Sequence, residues 1–104
     1  MPWGRPRVPR VEVVSREGCH LCEEMVALVR RVAGADVPVQ VRDLDAEDVP
    51  AELRERWSTL VPVLLVDGAE VARWRVDERT LRSALRVPGR VPSVRVLVQR
   101  WRRP

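Results

Sequence analysis

Val11-Glu12-Val13-Val14-Ser15-Arg16-Glu17-Gly18-Cys19-His20-Leu21-Cys22 joins a β-prone run to the mouth of a helical pattern, and it holds both cysteines of the chain. Val11 to Ser15 is rich in β-branched valine, and Arg16-Glu17-Gly18 reads as the turn that delivers the chain to Cys19. From Cys22 onward Met25, Leu28, Val29 and Val32 recur at helical spacing, with Glu23, Glu24, Arg30 and Arg31 on the other faces. Gly34 is the natural stop. Two thiols separated by two residues at a helix start can close a small disulfide ring and reopen it. The aligned helix amides favour the thiolate of the first one. Such a pair suits electron-pair exchange.

Working outward, Val37, Val39 and Val41 alternate with Pro38, Gln40 and Arg42, the period of a half-buried strand that Pro38 places at a beginning or an edge. Asp48 is then a plausible cap for a helix through Leu53 and Trp57, with Pro50 inside its first turn. Pro62-Val63-Leu64-Leu65-Val66 is nearly all apolar and predicts a strand covered on both faces. Asp67-Gly68 is a tight-turn dipeptide, and Ala69 to Trp74 returns as the antiparallel partner. Asp77 caps a last helix whose inner face is Leu81, Ala84 and Leu85. The order β-α-β-α-β-β-α defines an α/β chain with a small mixed sheet between helices, the thioredoxin-like arrangement.

A length of 104 residues fits one domain, placed at 11–86. Residues 1–10 read as a flexible basic arm. Residues 87–104 form a basic extension in which Val94, Val96 and Val98 alternate before Trp101, either as an added edge strand or as a disordered tail. The net charge of +4 is unevenly spread. All 15 acidic side chains lie between Val11 and Leu85 with ten arginines, a net charge of −5, and the remaining arginines sit at the two ends. Basic ends on an acidic body fit an acidic partner protein better than nucleic acid, and serve equally well as solubilising ends. The valine alternation also allows a weak dimer through the C-terminal segment beside a monomer. Lysine is absent beside 19 arginines, which matches a GC-rich bacterial codon bias. Neither a membrane-length apolar run nor a secretory h-region is readable, so the expected compartment is the cytoplasm. There a Cys-x-x-Cys pair reads as redox-active rather than as a staple.

Within the pair, Cys19 lies at or just outside the first helical turn and is the expected nucleophile. Cys22, one turn along, is the resolving thiol. A protonated His20, or Arg16 just before the motif, would stabilise the Cys19 thiolate, whereas Glu23 and Glu24 oppose it if they face the sulfur. His20 as a solvent-facing spectator stays open. A structural zinc site needs four ligands, and two cysteines with one adjacent histidine would require a second subunit to complete it. Pro62 is the second functional candidate, because a cis peptide there would expose neighbouring backbone to an extended substrate. Trp57 is expected in the core. Trp74 serves either substrate contact or ordinary packing, and Trp3 and Trp101 fall in the tails.

Gly18-Cys19-His20-Leu21-Cys22, Asp43-Leu44-Asp45, Val61-Pro62-Val63-Leu64 and Asp67-Gly68 together resemble the small bacterial glutaredoxin-like proteins of the thioredoxin superfamily, over about Val11 to Leu85. The resemblance implies that Pro62 is a cis-proline across from Cys19. It also implies that the side of Cys19, Val61-Pro62 and the start of the last helix make the substrate groove, to which Leu21 and Trp74 are assigned, and Asp77 resembles the acidic contact to the glutathione amino group. The chain departs from typical glutaredoxins at several points. His20 and Leu21 stand where proline and an aromatic residue are usual, and Leu60 replaces threonine. Arg73-Trp74 or Arg75-Val76 stands in place of a glycine pair that admits glutathione. A dithiol oxidoreductase is therefore expected, with no bound cofactor and an external thiol or reductase as electron donor. Its substrate is either a protein disulfide or a low-molecular-weight thiol disulfide. A redox-responsive interaction module with little turnover is the alternative.

Overall fold

A computed structural model describes residues 8–86. Along them run β1 (Val11–Ser15), α1 (His20–Ala33), β2 (Val39–Asp43), α2 (Ala51–Trp57), β3 (Val63–Val66), β4 (Ala69–Arg73) and α3 (Glu78–Arg86). The expected element order is the observed one. The strands form a mixed sheet in the order β2-β1-β3-β4, with β1 parallel to β2 and antiparallel to β3.

The two central strands lack exposed positions in their cores because helices cover both faces. On one face Val11, Val13, Leu64 and Val66 pack with Met25 and Val29 of α1 and Leu81 of α3. On the other, Val14, Val63 and Leu65 pack with Leu53 and Trp57 of α2. Trp57 is fully buried, as its helical position predicts, and its indole Nε1 donates to Glu70 Oε1 at 3.2 Å. The β3–β4 hairpin closes through Asp67 at φ 52° and Gly68 at φ 83°, the two left-handed positions that a tight hairpin turn needs.

Several sequence expectations change at the element ends. The arm is not free up to Arg10. Pro9 is buried, and Arg10 exchanges two hydrogen bonds with Asp67, its carbonyl accepting the Asp67 N–H and its N–H donating to Asp67 Oδ1, which continue the β1–β3 pairing by one step. Asp48 does not cap α2, since Pro50 occupies the N-cap position with no side-chain cap bond. The residue before a proline is driven out of helical geometry, so Val49 cannot be helical and the helix starts beyond Asp48's reach. Asp48 instead lies 3.9 Å from Arg42. In β2, which starts only after Pro38, Val39 packs on the core but Val41 is exposed on the edge strand. β4 ends at Arg73, because Trp74 takes φ 66° and leaves strand geometry. Trp3, Trp101, most of the N-terminal arm and the whole C-terminal extension, with its Val94–Val98 alternation, lie outside the described residues.

Since the α2 face is closed by one tryptophan and few other large side chains, Trp57→Ala is expected to lower the unfolding free energy by about 3–5 kcal/mol. Urea titration followed by circular dichroism measures it.

Candidate active site

The loop from β1 to α1 has three residues before the cysteine, and Gly18 turns it with φ 77°. That places Cys19 as the N-cap of α1, in extended geometry at φ −97° and ψ 108°. Its sulfur accepts the Cys22 backbone N–H at 3.1 Å, and its carbonyl accepts the Glu23 N–H at 3.2 Å. The sulfur thus occupies the place where serine or aspartate commonly satisfies the first orphan amides of a helix. Cys22 faces the same sulfur from one turn along. The two Cα atoms are 5.2 Å apart and the sulfurs lie at bonding distance. Their exposures differ sharply, since Cys22 is only 3% exposed whereas Cys19 is half-buried.

The charged candidates around the pair are arranged differently from the simplest expectation. Arg16 donates from Nε and Nη2 to the two carboxylate oxygens of Asp45 at 3.0 and 2.9 Å, and from Nη1 to the Ser58 carbonyl. This two-pronged pair holds the Asp45 carboxyl below the usual carboxylate range. Arg16 therefore clamps the β2–α2 turn and the end of α2 beside the cysteine loop, with its charge matched by a carboxylate. His20 projects into solvent with its side chain 93% exposed, and its Nδ1 is 3.7 Å from Glu23 Oε1.

Val61-Pro62 is a cis peptide, and Pro62 is buried. Val63, the next residue, pairs with Val14, so the proline lies at the end of the sheet from which the Cys19 loop departs. Trp74 is tied to the same corner. Its backbone N–H donates to the Pro62 carbonyl at 2.8 Å and its indole Nε1 donates to the Thr59 carbonyl at 3.1 Å. Asp77 caps α3 as expected, with Oδ1 accepting the Thr80 N–H at 2.7 Å, and that bond holds its carboxyl low.

Two grooves flank the start of α1. One of about 560 Å³ has Leu21, Glu24, Met25 and Leu28 of α1 as one wall and Trp74 to Asp77 as the other. Three of the expected groove residues, Leu21, Trp74 and Asp77, meet there. The second, of about 480 Å³, runs along the other side of α1, with Arg16, Gly18, Cys19, Cys22, Val26 and Val41 among its lining. Val61 and Pro62 line neither groove. Sequence reading missed Asp45 as the partner of Arg16, whose signal was the acidic Asp43-Leu44-Asp45 turn. It weighed Glu24 only for its charge near the sulfur, and it missed Val41, which only the placement of α1 against its neighbours brings to the site.

A disulfide-forming pair at the head of a helix, on a mixed sheet entered through a cis-proline, defines a thioredoxin-like dithiol protein. Residues 10–86 match the glutaredoxin-like domain (DUF836), and the chain belongs to that family. It is 35% identical over 78 residues to uncharacterized proteins of Mycobacterium tuberculosis and Mycobacterium bovis, covering 72% of this chain and 80% of theirs. The fold is similar to a solution structure of a protein from Nitrosomonas europaea. The TM-score is 0.65 at 27% identity, with 78% of this chain and 95% of that one covered. Among the described residues no helix is long and apolar enough to cross a membrane.

The Arg16–Asp45 clamp carries a pH signature. Because the folded Asp45 is more acidic than the unfolded one, its contribution is complete above the ordinary carboxylate range and is lost as pH falls through the folded value. Asp45→Asn is expected to melt at a lower temperature than wild type at pH 7, with the gap narrowing below about pH 4. Thermal melts from pH 7 to pH 2 would expose an error here as a gap that does not change.

Proposed function

We propose that this protein is a dithiol thiol–disulfide oxidoreductase that reduces protein or low-molecular-weight disulfides. The unequal exposure of two cysteines whose sulfurs lie within bonding distance supports it most directly. The half-buried Cys19 can meet an incoming disulfide, while the buried Cys22 is placed to meet Cys19.

In the proposed cycle the Cys19 thiolate attacks one sulfur of the substrate disulfide. A mixed disulfide forms, and the other substrate sulfur leaves as a thiolate that takes up a proton. Cys22, having lost its proton, then attacks the Cys19 sulfur and the second substrate thiol departs. Two electrons have passed to the substrate, and Cys19–Cys22 is left as a disulfide. An external thiol or reductase restores the pair by the reverse exchange, so no bound organic cofactor enters. Helix amides at the N-terminus of α1, with the Cys22 N–H aimed at the Cys19 sulfur, favour the attacking thiolate. A cytoplasmic setting fits such a pair, because glutathione and thioredoxin pools keep thiols reduced there.

A second reading draws on the charge distribution, in which a body of net charge −5 lies between basic ends. In it the dithiol switches the affinity of those ends for an acidic partner. Removing residues 1–7 and 87–104 without changing partner binding would dispose of it.

For the oxidoreductase, Cys19→Ser is expected to lose turnover altogether. Cys22→Ser is expected to accumulate a mixed disulfide on Cys19, seen by mass spectrometry under non-reducing conditions. Wild-type activity in Cys19→Ser would show that the chemistry is assigned to the wrong sulfur.

A further inference from the structure

We propose that Trp74 is the specificity-determining residue of the exchange site, and that it selects the disulfide of an extended polypeptide carrying an apolar and a basic side chain beside its cysteine. This rests on the oxidoreductase reading and names its substrate class.

The first observation is conformational. Trp74 has φ 66°, a region that bulky side chains rarely adopt and that glycine occupies freely. Core packing does not explain a tryptophan there, because the residue is 50% exposed. The strain is held by two bonds to one loop, from the backbone N–H to Pro62 and from the indole N–H to Thr59. With its polar atom satisfied by the protein, the indole presents apolar ring to the groove and to solvent. A pinned aromatic contact is ordered before any ligand arrives, so binding loses little side-chain entropy.

The second observation is the shape of the groove. Its helical wall starts at Leu21, between the two cysteines, and continues to Leu28. At a rise of 1.5 Å per residue that is about 10 Å, the length of about three extended residues. Cys19 lines the groove on the other side of α1, so a chain attached at its sulfur enters this one across the first turn of the helix, two residues on at Leu21.

Charge is the third. Glu24 and Asp77 set two carboxylates in the lining against one guanidinium, Arg75. Arg16 is matched by Asp45, and His20 stands beside Glu23. A small thiol that bears several carboxylates finds little cationic counterpart here. A basic side chain finds two partners, and a neighbouring apolar one finds Leu21, Met25 and the indole.

The test compares kcat/KM of the full chain on three disulfides. They are hydroxyethyl disulfide, glutathione disulfide, and the disulfide-linked dimer of a short peptide with leucine and arginine after its cysteine. Wild type should prefer the peptide to glutathione disulfide. Trp74→Gly, which suits the left-handed backbone, should lower the ratio of peptide to hydroxyethyl disulfide about tenfold. Exchanging the peptide's arginine for glutamate should lower the wild-type ratio similarly, with no risk to folding. An unchanged ratio in either comparison, or a preference for glutathione disulfide, overturns the proposal. Binding is read separately by titrating the oxidised protein with the peptide's serine analogue and following the Trp74 indole N–H resonance. If hydroxyethyl disulfide is not reduced, the oxidoreductase reading fails, and a shifted indole resonance would still place the peptide in the groove. An unmoved indole resonance sinks the groove assignment whatever the turnover.

Discussion

Burial of β1 and β3 on both faces is the constraint from which the rest of the molecule follows. Four consecutive buried residues in each strand leave no polar face for solvent, so helices must pack above and below. The crossover through α1 must then return β2 parallel to β1, which is what the register shows. α1 is docked by Met25 and Val29 against Val11, Val13 and Leu64. Its first turn consequently hangs beyond the end of β1, where the sheet gives way to loops. The cysteine pair sits there because a βαβ crossover puts a helix N-terminus at the carboxyl end of its strand. The same sheet end receives the cis-proline, since β3 runs antiparallel to β1 and so begins where β1 finishes.

Electrostatics at this corner is dominated by backbone rather than by side-chain cations. Cys19 takes the N-cap position, and the Cys22 N–H is directed at its sulfur. The nearest arginine in sequence is spent on Asp45 and the Ser58 carbonyl. A charge matched at hydrogen-bond distance projects far less field than a bare one, so under the proposed chemistry Arg16 acts mainly by fixing the wall of the second groove. His20, almost fully in solvent and close to Glu23, faces the sulfur only through a high dielectric. The helix amides are different in kind, being fixed in direction and unable to reorganise away from the sulfur.

Much of this was legible in the chain because local signals agreed with one another. The valine run of β1, the helical spacing after Cys22, Asp67-Gly68 and the Asp77 cap each point to an element that exists. Reading faltered where two local preferences competed. Asp48 is a good cap residue, but Pro50 dictates where helix can begin, and it overrides the aspartate. Val41 fits a half-buried strand by alternation, yet it falls on the edge strand next to the open groove at the head of α1. At the site, the cysteines and Val61-Pro62 are marked by sequence spacing. The groove beside them is not, because its walls come from α1 and from the β4–α3 connection, more than 40 residues apart, and no local pattern registers that meeting.

One irregularity in the hairpin decides which face the last residues of β4 take. Leu65 pairs with Glu70 while its neighbour Leu64 pairs with Ala72, so Val71 is an extra residue in β4. Without the bulge, strict alternation would put Ala72 on the face of Glu70 and Trp57. With it, Val71 and Ala72 both pack toward α1 and α3, and Arg73 returns to the face of Glu70, lying 3.8 Å from its carboxylate. The phase of the strand is reversed up to its end at Arg73. Trp74 then turns left-handed beside Pro62, and the chain passes over the end of the sheet to the cap of α3 at Asp77. The indole reaches the wall opposite Leu21 through that left-handed turn, tied to the Thr59 carbonyl.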